Sequence, residues 1–161
     1  MTDGTVMVEN AKIIFRNFSG RETEFNSQGD RNFCVILDEA TAQMLVEDGW
    51  NIRRTKPRGE DEATDPYIQV SVSFKIKPPL ITMITSGGRT VLNEDTVENL
   101  DWVDVRKVDL IFQPYNWTLK SGRSGIKAYL KTMFIEIEED ALEIKYREME
   151  DLPSRSGRVS E

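Results

Sequence analysis

The alternation of apolar and polar positions along this chain reads as a β protein. Between residues 67 and 77, Ile68, Val70, Val72, Phe74 and Ile76 point one way, while Gln69, Ser71, Ser73, Lys75 and Lys77 point the other. That period of two is what a half-buried strand requires. Shorter apolar stretches at 6–18 and 31–37 are separated by Ser19-Gly20 and by a polar turn ending in Gly29-Asp30. Residues 80–84 and 90–92 flank Ser86-Gly87-Gly88-Arg89, a hairpin turn in which glycine supplies positive φ without steric cost. Further strands are predicted at 105–113 and 126–137.

Brief helices interrupt the strands. Asp38 is placed to cap a helix that runs through Glu47 to Gly49, with Met44 and Leu45 as its inner face. Asn93 is placed to cap a second helix over 94–100, and Leu142, Tyr146 and Met149 suggest a third over 140–150. Five or six short strands at this spacing predict a closed or partly open antiparallel barrel, because closure removes exposed strand edges. A two-sheet sandwich is the alternative. The folded unit is expected to span residues 1–138. Residues 139–161 form an acidic segment followed by a tail without core-forming residues, expected to be disordered.

Composition narrows the chemistry. Histidine is absent, which removes the usual general base, the usual partner of a nucleophile and the commonest metal ligand. The single cysteine, Cys34, excludes an intrachain disulfide and lies in an apolar run, where a buried structural thiol is expected. Carboxylate sets such as Glu60-Asp61-Glu62 with Asp65, or Glu138-Glu139-Asp140, read as solvated charge runs rather than a magnesium nuclease site. No catalytic residues, metal or cofactor are therefore expected. Without an apolar stretch of membrane length or a secretory leader, the expected location is cytoplasmic.

The net charge of −7 argues at first against a polyanionic partner. Its distribution changes the picture. Residues 136–151 hold eight acids against Lys145 and Arg147, so residues 1–135 carry a net charge of only −2. Within that nearly balanced body the cations cluster. Residues 126–134 place Lys127, Tyr129 and Lys131 in a row on one strand face, alternating with Ile126, Ala128, Leu130 and Phe134 on the other. Just upstream, Tyr115 and Trp117 share a parity, and the Gly-rich loop that follows carries Lys120 and Arg123. A second patch brings Trp50 close to Arg53 and Lys56, and Lys75 and Lys77 extend the small polar face of 69–77. Cations alternating with aromatics suit a single nucleic-acid strand, whose phosphates meet the charges while its bases stack on the rings. Each patch also has a plainer reading, as an exposed strand face or a charge-guarded edge.

Several segments resemble those of phage-encoded single-stranded DNA-binding proteins. They are Gly29-Asp30-Arg31-Asn32-Phe33, Asp48-Gly49-Trp50-Asn51 through Lys56-Pro57-Arg58, Pro66-Tyr67-Ile68-Gln69-Val70, Gln113-Pro114-Tyr115-Asn116-Trp117, and Ser124-Gly125-Ile126-Lys127-Ala128-Tyr129-Leu130-Lys131. The resemblance spans about residues 8–148. It implies a mainly β, OB-fold-like five-stranded antiparallel barrel with short helices between strands. It further implies sequence-independent binding of single-stranded DNA in phage replication or recombination, in the cytoplasm of the infected host. Phage or host replication proteins would be partners through the acidic C-terminal segment, and dimerisation is known among relatives. The tail departs from the pattern, since the acids lie at 136–151 and the terminus carries Arg155 and Arg158 without an acidic-aromatic tip. The competing function is a protein-interaction barrel that does not touch DNA.

Overall fold

The computed structural model describes residues 4–24, 26–55, 64–75 and 77–139. The alternation that opens at residue 67 becomes strand as far as Val72. Pro66–Val72 (β5) buries Pro66, Ile68, Val70 and Val72 and turns Gln69 outward. Upstream lie Val6–Val8 (β1), Lys12–Asn17 (β2), Arg31–Ile36 (β3) and the short Ile52–Arg54 (β4). Downstream, Leu80–Thr85 (β6) and Gly88–Leu92 (β7) form the predicted hairpin, and Val105–Thr118 (β8) and Ser124–Ile137 (β9) form a long antiparallel ribbon. Residues 56 and 76, and everything after 139, fall outside the described residues. Lys56, Ile76 and the expected third helix are among them.

The strands join in one sheet with the order β1-β8-β9-β5-β3-β2. β1 and β2 are two halves of one bent stretch, turned at Asn10 with φ of 51°, so the order begins and ends in the same piece of chain. Two hydrogen bonds hold the bend to β8: Asn10 N–H donates to Asp109 Oδ1 at 2.7 Å, and Ala11 N–H to the Val108 carbonyl at 2.7 Å. Counting β1 and β2 as one strand leaves five around the barrel, the mainly β, OB-like architecture. The expectation of a purely antiparallel barrel is corrected. β9 runs parallel to β5 at Val70↔Ala128 and Ser71↔Tyr129, and parallel to β6 over five residue pairs. The β6–β7 hairpin and β4 are additions to the barrel.

The interior is filled by the inward residues of every wall, including Phe18, Phe33, Val70, Phe112, Leu130 and Met133, all almost fully buried. Each such side chain contributes roughly 1.5–3 kcal/mol. Asp38 caps the single α-helix of the described residues, Glu39–Glu47 (α1), accepting from Thr41 N–H at 2.6 Å. That hydrogen bond holds the Asp38 carboxyl below its usual range. The helix packs through Ala42 and Leu45, whereas Met44, expected inside, is exposed. The second predicted helix is a 3-10 turn, Val97–Asp101, begun by Asn93 Oδ1 accepting from Asp95 N–H and Thr96 N–H. It is clamped to the end of β2. Arg16 donates to the carbonyls of Leu100 and Val103, while Asp101 accepts from the Phe18 and Ser19 N–H groups.

Two bulges reverse the expected facing of side chains. Ile111 pairs with Thr132 and Phe112 with Leu130, which leaves Lys131 unopposed. Past that point Met133 and Ile135 are the buried residues, and Phe134, expected inside, lies outside beneath Arg89 at 5.7 Å. A second irregularity between Ile14 and Asn17 brings Phe15 out of the core.

Candidate nucleic-acid interface

Residues directly opposite one another on neighbouring strands share a face, so the pairings map the outside of the barrel. One row crosses it as Asn32, Ser71, Tyr129 and Gln113. Beside it, Tyr115 faces Lys127 and Trp117 faces Gly125 on the β8–β9 ribbon. The two strands thus bring Tyr115, Trp117, Lys127 and Tyr129 onto one surface, as their parities predict. Tyr115 is 56% exposed and meets Tyr129 edge to face, with ring centroids 5.9 Å apart. The Lys127 ammonium lies over the Tyr129 ring at 5.2 Å.

Glycine is required at 125 by contact. A Cβ there would stand 2.7 Å from Trp117 Cζ2 and 3.0 Å from its Cε2, so the indole rests on bare backbone. The ribbon is closed by a compact turn rather than an open loop: Leu119 N–H donates to the Arg123 carbonyl at 2.7 Å and Gly122 N–H to Leu119 at 2.9 Å. Lys120 and Arg123 are exposed at this turn.

Where β5 is shared between β4 and β9, the sheet opens into a cleft of about 540 Å³. Trp117, Arg123, Gly125 and Lys127 form one wall, and Gln69, Ser71 and Asn51 line the opposite side. No carboxylate borders it among the described residues. Arg53, Lys120, Arg123 and Lys127 form no ion pair with any described residue, whereas Arg54 is held in a bidentate bond to Glu39 at 2.7 and 2.9 Å. That pairing lowers the Glu39 pKa and raises that of Arg54.

The other predicted residues are dispersed. Trp50 borders the cleft but is 7% exposed, set edge-on to Phe112 at 5.3 Å; its indole is a core group rather than an open stacking surface. Lys131 stands exposed in the β9 bulge, next on that face after Tyr129. Lys75 and Lys77 leave the sheet altogether, because β5 stops at Val72 instead of 77; both are exposed in the connection to β6, away from the cleft. Arg53 sits on β4 opposite Tyr67, and Lys56 lies outside the described residues.

The sequence reading missed Tyr67 and Asn51. Tyr67 shares the parity of Gln69 and Ser71, which was sufficient to place it on this face. Beneath the face lies Cys34, opposite Gln69 and 6% exposed. Burial pushes its thiol up from 9.0 to about 11, against a smaller lowering by Arg53. Among the described residues, no three acid or thiol groups converge to hold a metal ion, and no helix is long and apolar enough to cross a membrane.

The chain and its fold are similar to known proteins. The family model for the phage ssDNA-binding domain matches residues 2–156. No curated protein matches the sequence significantly. Among solved structures, the fold is similar to the single-stranded DNA-binding protein of bacteriophage Enc34 in complex with ssDNA, with a TM-score of 0.57 at 12% identity over 85% of this chain and 88% of that one. The same phage protein without DNA gives 0.55 at 11% identity, over 85% and 83% of the two chains. Its C-terminal truncation gives 0.55 at 12%, over 85% and 87%.

Proposed function

This chain belongs to the phage ssDNA-binding domain family, and on that premise we propose that it binds single-stranded DNA, without sequence preference, across the outer face of β5, β9 and β8. The observation that carries the reading is the cluster of Tyr115, Trp117 and Tyr129 beside Arg123 and Lys127, around a cleft that no described carboxylate borders. Bases stack on the rings at about 1–3 kcal/mol each, indifferent to base identity because every base offers a π-face. Lys127 over Tyr129 is a cation–π contact of only about 0.5–1 kcal/mol at an exposed site, so an incoming base displaces the ammonium toward a phosphate. Arg123, Lys120 and Lys131 line the same approach, and Arg53 lies on β4, along the edge of β5 that β9 also pairs.

The solved complex of a similarly folded phage protein with ssDNA supports the reading. The binding unit is residues 1–138, acting in phage DNA replication or recombination in the cytoplasm of an infected bacterium, with no catalytic step. Residues 139–161 would recruit replication proteins; beyond Glu139 they lie outside the described residues. The test is a fluorescence titration of the three tryptophans with a thymidine oligomer at low and then high salt. Saturable quenching that weakens with salt is expected. A flat response together with no gel shift sinks DNA binding and favours a protein-docking barrel.

A further inference from the structure

Phe15 occupies a conformation that its residue type disfavours twice over. Its φ is +52°, in the left-handed region where a bulky side chain is an outlier, and its ring is 64% exposed. Regular alternation would place it inside with Ile13, which pairs with the inward Val35. The bulge in β2 instead delivers it to the same outer face as the tyrosines. There it meets Tyr67 edge to face, with centroids 5.7 Å apart and an interplanar angle of 74°. A glycine would accept this backbone without strain and a polar residue would accept the exposure, yet an aromatic stands here.

Its surroundings carry charge. Tyr67 has Ile36 on one side and Arg53 on the other, and Ile36 pairs in turn with Lys12, so the row runs Lys12, Ile36, Tyr67, Arg53. Both cations are exposed and neither forms an ion pair with a described residue, while neighbouring Arg54 is committed to Glu39. Tyr67 precedes Ser71 by four positions on β5, which sets this row roughly 13 Å along the strand from the row containing Tyr129. The distance suits one continuous strand of DNA crossing both.

We propose that Phe15 and Tyr67, with Arg53 and Lys12 at their flanks, form a second single-strand subsite that takes a nucleobase on the Phe15 ring and phosphates on the two cations. The proposal rests on the binding reading above and extends its footprint from β8 across to β2. A longer strand engages both subsites, whereas a short one is satisfied by the tyrosine–tryptophan cluster alone.

The experiment compares intact protein with its Phe15→Gly and Phe15→Trp variants by anisotropy, using thymidine oligomers of about 4 and about 16 nucleotides, which bracket the site size of one barrel of this kind. Phe15→Gly is expected to lose on the order of tenfold in affinity for the long oligomer and almost nothing for the short one. Phe15→Trp retains wild-type affinity for both. The thermal midpoint of Phe15→Gly is expected to hold or rise as backbone strain is relieved, which separates lost stacking from lost folding. Unchanged long-oligomer affinity in Phe15→Gly, or an equal loss on both lengths, overturns the second subsite. If the unmutated protein binds neither oligomer, the underlying binding reading fails as well.

Discussion

Two tryptophans border the same cleft and differ in everything else. Trp50 is 7% exposed, bridges by its backbone to Ile126 on β9, and buries its ring against Phe112. Trp117 comes from the ribbon opposite, lies on the bare backbone of Gly125, and stays partly open to solvent. One indole is spent on the core and the other keeps a face open to the cleft, where the proposed strand would stack. Proximity to a cleft therefore does not make an aromatic a recognition element; what its ring already touches decides that.

Substitution separates the pair. Trp50→Ala has the largest expected effect, a loss of about 3–5 kcal/mol of stability read from chemical denaturation, because it empties a packed site. Trp117→Ala is expected to leave the denaturation midpoint almost unmoved while weakening oligomer binding by about 1–3 kcal/mol in the titration. If Trp117→Ala destabilises as much as Trp50→Ala, the contrast collapses and both rings are structural. Gly125→Ala sharpens it, since a methyl that cannot coexist with the seated indole should reproduce most of the Trp117→Ala affinity loss without removing the ring.

Smaller effects follow from charge. Lys127→Gln and Arg123→Gln should each reduce the slope of log affinity against log salt by about 0.7, the contribution of one phosphate contact on a single strand. Lys77→Gln, away from the cleft, should leave the slope unchanged. The smallest expected effect belongs to Cys34. Its thiol is held neutral to about pH 11 in the folded chain, so the unfolded chain ionises first. The stability this provides is complete below pH 9.0 and is lost as pH climbs toward about 11. Cys34→Ala should flatten that decline in denaturation curves taken across the interval.

Much of this was legible in the sequence because alternation is a local signal. The faces of β5, the shared parity of Tyr115 and Trp117, and the row of Lys127, Tyr129 and Lys131 follow from counting by twos. The failures share a cause. Phe134 sits beyond a bulge, where one extra residue inverts the count and no side chain announces it. Lys75 and Lys77 were read onto a strand whose alternation continues past Val72 although its pairing does not. Trp50 was grouped with the cations that follow it, whereas the partner that buries its ring, Phe112, lies sixty-odd positions along the chain and leaves no trace nearby. The parallel contact of β5 with β9 is equally invisible, since nothing local in either strand names the other.

The position of β9 has a consequence for how the protein comes into being. It is the last of the described strands, yet it lies between β8 and β5 and also carries β6. A chain emerging from the ribosome can pair β2, β3 and β5 early, and β8 can join β1, but the Val70–Ser71 edge of β5 and the long inner side of β8 must wait for residues 124–137. Contacts so distant in sequence make for folding in milliseconds to seconds rather than microseconds. The same late strand brings Lys127 and Tyr129, so joining β8 to β5 and completing the proposed tyrosine–tryptophan cluster are one event.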